Sequence, residues 1–71
     1  MDINQKFGFK LRVLRAKKKL TQEKLADLAG IDYKYVQMLE GKDPPSPTLN
    51  TVEKLAKAFK MRIPKLIDFK T

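Results

Sequence analysis

Seventy-one residues suffice for one small domain, spanning 1–71 with its core in 4–68, and for no second one. Neither cysteine nor histidine is present, so a disulfide, a structural zinc site and the commonest pairings of general base and nucleophile are all missing. Sixteen Lys and Arg against eight Asp and Glu give a net charge of +8, which points to an anionic partner.

No enzyme, cofactor or metal is therefore expected, and nucleic acid stands ahead of an anionic membrane surface as the partner. The apolar residues follow a compact-core pattern with no run long enough to span a bilayer. The N-terminal residues lack the uninterrupted apolar stretch of a signal peptide. The absence of cysteine fits a reducing cytoplasm. A chain of this size hides only ~60% of the surface its unfolded form exposes. Its stability must rest on well-formed helix packing, with a partner subunit as a further source.

Apolar periodicity predicts five helices. The first runs from about Asn4 to Lys18, with Phe7, Leu11 and Leu14 at core spacing. Gly8 inside it costs ~1 kcal/mol relative to alanine, which implies a neighbouring backbone at close range. Phe9 and Val13 fall on another side with no assigned cover. Lys17-Lys18-Lys19 reads as a solvated helix end favoured by the dipole.

Thr21 caps a second helix over Gln22 to Ala29, with Leu25, Leu28 and Ala29 facing inward and Ala26 small enough for a close crossing. Gly30 supplies the left-handed residue that ends it. Ile31 plugs the turn, and Asp32 caps the third helix, Tyr33 to Glu40, as a cap rather than a reader of bases. At ~100° per residue, Tyr35, Val36, Leu39 and Glu40 share one side, and Tyr33, Lys34, Gln37 and Met38 the other. Gly41 stops this helix, and the prolines of residues 42–47 demand an extended loop. Thr48 caps a fourth helix, Leu49 to Phe59, whose inner positions are Val52, Leu55, Ala56 and Phe59. A short fifth helix starts near Pro64.

These pieces resemble the XRE family, the helix-turn-helix class of phage Cro and repressor proteins. The resemblance covers roughly residues 7–69. It rests on Phe7-Gly8 with Leu11, Arg12, Leu14 and Arg15; on Thr21 to Ala26; on Ala29-Gly30-Ile31; and on Leu39-Glu40, Pro47-Thr48-Leu49 and Leu55 to Phe59. It implies an all-α, compact five-helix bundle of the lambda repressor-like type that binds operator DNA, commonly as a two-fold dimer. The chain departs from the family where Gly41 follows Glu40 directly, where the loop to Pro47 is one residue longer, and where Met38 replaces a polar or basic reader.

Tyr33, Lys34, Gln37 and Met38 are the candidates for base edges. Lysine can donate to guanine O6 and N7, glutamine can pair with adenine N6 and N7, and an apolar tip can meet a thymine methyl. Met38 can equally meet a partner protein. Gln22, at a helix N-terminus, is placed against a phosphate, as the resemblance also implies. Lys42 is placed at the DNA backbone beside the loop. The resemblance further implies a structural salt bridge between Arg15 and Glu40. The apolar cluster Ile63, Leu66, Ile67 and Phe69 must close part of the core, and its surplus supplies a homodimer contact. The expected function is sequence-specific transcriptional regulation at a roughly palindromic double-stranded site. The expected form is a small stand-alone regulator such as a controller protein. An antitoxin or other protein-interaction module on the same fold is the alternative.

Overall fold

Three of the helices end in the same way, and those ends set the corners of the bundle. A computed structural model describes residues 1–69. Among them lie α1 (Ile3–Lys17), α2 (Gln22–Ala29), α3 (Tyr33–Leu39), α4 (Leu49–Ala58) and α5 (Ile63–Leu66). After α1, α2 and α4 comes a left-handed residue, respectively Lys19 (φ 55), Gly30 (φ 69) and Lys60 (φ 56). The next amide in each case reaches back to close the last turn: Leu20 N donates to Arg15 O, Ile31 N to Ala26 O, and Met61 N to Ala56 O. Each such closing residue is apolar and packs on the core. These are Schellman endings with their hydrophobic contact.

Glycine adopts the left-handed region freely, whereas a side chain there crowds the following carbonyl. Only Gly30 uses the residue suited to it. Lys60→Gly is therefore expected to stabilise the domain by roughly 0.5–1 kcal/mol. A thermal melt that falls rather than rises by a few degrees would refute the point.

The starts of the helices are capped by side chains. Asp2 accepts from Gln5 N at 2.9 Å while Asp2 N donates to the Gln5 side chain at 3.0 Å, a reciprocal box that starts α1 at Ile3 rather than Asn4. Thr21 accepts from Lys24 N at 3.0 Å, Asp32 from Lys34 N at 3.1 Å, and Thr48 from Thr51 N at 3.1 Å. Glu40 and Phe59 are C-caps rather than the last helical residues of α3 and α4. Gly41 makes no left-handed turn.

Packing joins α2 to α3 and α4, α1 to α3, and α4 to α5. The core holds Phe7, Leu11, Leu25, Ala26, Ala29, Val36, Leu39, Val52, Leu55, Ala56, Phe59 and Leu66. Leu28, expected on the inner face of α2, is 52% exposed. The helix is turned so that Ala26 rather than Leu28 joins Leu25 and Ala29 inside, which the small alanine side chains permit. Leu14 is only partly buried. Gly8 has the close backbone its position requires: a Cβ there would lie 2.1 Å from the carbonyl oxygen of Leu39. At that crossing α1 rests directly on the end of α3.

Candidate nucleic-acid interface

The left-handed Gly30 turns the chain sharply, Ile31 fixes the turn on the core, and the Asp32 cap starts α3 immediately afterwards. Val36 and Leu39 anchor the short helix inward, with Tyr35 half-buried beside them. That leaves Tyr33, Lys34, Gln37 and Met38 exposed on its outer side, the Met38 residue at 50%. No neighbouring segment of the described residues hides them.

The opposite end of α3 is held by a polar hub. Glu40 has a side chain only 1% exposed. Arg15 meets it with one edge of its guanidinium, Nε to Oε2 at 2.7 Å and Nη2 to Oε1 at 2.8 Å. Arg15 Nη1 also donates to Leu20 O at 2.9 Å. Paired donors of this kind offset the desolvation of the carboxylate. The hydrogen bonds to Glu40 raise the Arg15 pKa above its ordinary value, burial works against that rise, and the charge of Glu40 adds to it. With Glu40 ionised, the Arg15 contribution to stability is fully present below the ordinary arginine range and is lost as pH rises through the raised value.

Gln22 completes the hub. Its Nε2 donates to Glu40 Oε1 at 3.1 Å, so the first residue of α2 is tied to the C-cap of α3. The amides of Gln22 and Glu23 have no acceptor among the described residues and open the positive end of α2 to solvent. Arg12 stands at the outer edge, its side chain 64% exposed and its Nε 4.0 Å from Glu40 Oε1. Sequence reasoning gave Arg12 no role. The signal was its position one helical turn before Arg15, visible only once Glu40 is placed between them.

Lys42 is exposed, and its carbonyl accepts from Gln5 Nε2 at 3.2 Å. Asn4 Nδ2 donates to Ser46 Oγ at 2.9 Å. The first turn of α1 thus fastens both halves of the loop that carries Lys42. Of the C-terminal cluster, Leu66 is wholly buried in the protomer's own core and offers nothing to a second copy. Ile63 and Phe69 are half-buried against that core, and Ile67 is exposed. Among the described residues there is no group of acidic or other side chains able to hold a metal ion, and no helix is long and apolar enough to cross a membrane.

A capped, outward-facing helix after a tight left-handed turn, locked to the N-terminus of its predecessor, is the arrangement of a protein that reads the major groove of DNA. The helix-turn-helix family model matches residues 11–66, and the chain belongs to that family. The control protein C.SmaI of Serratia marcescens is 36% identical over 67 residues, covering 94% of this chain and 79% of that protein. The restriction-modification controller protein C.AhdI from Aeromonas hydrophila is similar in structure, with a TM-score of 0.82 and 40% identity over 89% of this chain and 94% of that one. The hypothetical transcription factor NHTF from Neisseria gives a TM-score of 0.86 at 28% identity, over 94% of this chain and 74% of that one. The chain is a DNA-binding transcriptional regulator of the prokaryotic or phage type.

Proposed function

We propose that this regulator inserts α3 into the major groove of a roughly palindromic operator and acts there by occlusion or recruitment, in the cytoplasm, as the controller of a small genetic unit. The observation that carries the reading is the uncovered outer side of α3, with Lys34 and Gln37 wet and the Val36–Leu39 stripe fixed beneath. Tyr33, Lys34, Gln37 and Met38 address base edges. Gln22 and Lys42 address phosphates, and Arg12 joins them from the rim of the hub. The Gln22 amide group is engaged by Glu40, so its backbone N–H and that of Glu23 are the donors offered to a phosphate.

The chain acts as a homodimer in this reading. Ile67 and the free flank of Ile63, four residues apart on one side of the α5 segment, form the contact, with Phe69 at its margin and Leu66 as the buried support. Two copies would then present their α3 helices ~34–36 Å apart, one turn of the duplex. A protein that stays monomeric by light scattering at micromolar concentration, both alone and on its site, would exclude this arrangement. Similarity to the two controller proteins supports the biological role.

Selection of bound duplexes from a random pool tests the reading directly, since it reveals both preference and half-site spacing. Against the selected site, Lys34→Ala is expected to cost ~1–3 kcal/mol at one base pair. Equal weakening on all sequences would move Lys34 from base to backbone. The log-log dependence of affinity on salt should fall with a slope of ~0.9 per phosphate contacted. A flat dependence would replace DNA with a protein partner.

A further inference from the structure

Phe9 and Val13 take no part in the core or in the α3 face. Phe9 is 55% exposed and, with Val13 and Phe69 beside it, forms a contiguous apolar patch rather than a lone surface side chain. Phe9 and Val13 line an open groove of about 650 Å³ between α1 and the segment that follows α5. Phe69, packed on the core, forms the other wall. Lys10 Nζ donates to Asp68 O at 3.0 Å and pins that wall beside the helix. Among the described residues the groove is lined by four lysines, Lys6, Lys10, Lys17 and Lys65, against one carboxylate, that of Asp68.

We propose that this groove docks an acidic amphipathic segment of a protein partner, with its apolar side chains on Phe9, Val13 and Phe69 and its carboxylates against the lysine rim. The inference goes beyond DNA binding and does not depend on it. A lysine-rimmed apolar trough is the complement of a helix with large apolar residues on one side and glutamates or aspartates flanking them. The proposed dimer contact uses Ile63 and Ile67, which do not line the groove, and shares only Phe69 with it. Within the groove a second copy is disfavoured, because a chain of net charge +8 brings few carboxylates to a lysine rim. A duplex would satisfy the lysines but leave the aromatic wall uncovered.

The placement lets both partners bind at once. Gly8, Arg12 and Arg15 form the stripe of α1 that meets the end of α3 and Glu40. Lys6, Lys10, Val13 and Lys17 form a stripe about 160° away around the helix, at ~100° per residue. Phe9 lies between the two stripes and also borders the hollow shared by Arg12 and Glu40, whereas the lysine rim lies on the far side of α1 from the hub.

The test uses the full chain and a short synthetic peptide with leucine and phenylalanine at i, i+4 and i+7 and glutamate between them. An amide-resolved NMR titration is expected to shift Phe9, Val13, Lys17 and Lys65 and to leave α3 unmoved. The same peptide with lysine in place of glutamate should not bind. Lys17→Glu with Lys65→Glu, both at exposed positions, should weaken the peptide roughly tenfold while the salt slope of DNA binding stays the same. Shifts on the α3 side, equal binding of the lysine peptide, or no binding would overturn the proposal. So would a DNA salt slope reduced in the double variant, which would assign the lysines to phosphates. Binding of anionic phospholipid vesicles through these residues in place of the peptide would assign the groove to a membrane surface.

Discussion

Arg15→Ala is expected to destabilise the domain by about 3–5 kcal/mol, read from urea denaturation. The side chain of Glu40 would keep its burial while losing two charge-assisted donors, and Leu20 O would lose its own. Arg12, 4.0 Å away and largely in solvent, and the neutral Gln22 amide cannot replace a paired guanidinium. A domain of this length has a total stability of roughly 4–10 kcal/mol, so much of the population would unfold. Removing both charges tells folding apart from recognition. Arg15→Met with Glu40→Leu leaves no buried ion and should recover most of the loss. It should nevertheless bind DNA more weakly than the parent, because Gln22 then has no partner holding α2 to the end of α3. Full recovery of affinity along with stability would show that the hub supports the fold and positions nothing.

Gly8→Ala is the second large effect, and its sign runs against helix propensity. In an open helix the change would stabilise by ~1 kcal/mol. Here the new Cβ would meet Leu39 O at 2.1 Å, and Leu39 C at 3.2 Å. The obstacle is backbone, so no rotamer change relieves it, and α1 must lift away from α3. Overpacking costs ~1–3 kcal/mol even where side chains can adjust, and the net loss here is expected to reach about 3 kcal/mol. The damage also lies one helical turn from Arg12 and next to Glu40, so DNA affinity should fall further than the folded fraction predicts. A variant as stable as the parent would show that the two helices can slide apart freely at this point.

The sequence made the caps and the turn readable because each depends on chemistry within a few residues. Thr21, Gly30, Asp32 and Thr48 act where local rules place them. The outward side of α3 followed from the same periodicity, since four polar or flexible residues recur where the core stripe does not. Gly8 could be read as a close approach, but the identity of Leu39 as its neighbour could not. Helix α1 starts one residue before the expected Asn4, because Asp2 and Gln5 form a capping box. Lys19 and Lys60 were illegible for a different reason, because a lysine in the left-handed region contradicts its own propensity and is held there by the apolar residue that follows. Leu28 and the bond between Gln22 and Glu40 depend on how α2 rotates against α3, which no single helix records. Burial of Leu66 likewise reflects the docking of α5 on α4.

Seven residues are too few for α3 to persist in water on its own, since an isolated helix needs about twice that length to be even marginal. In the proposed function the surface that meets DNA thus has no existence apart from the assembled bundle. Occupancy of an operator will track the folded population, and duplex DNA will in turn hold the native state by mass action. Amide hydrogen exchange along Tyr33–Leu39 should consequently slow in step with ligand concentration, so that a gene switched by this protein feels warming and dilution through the same equilibrium.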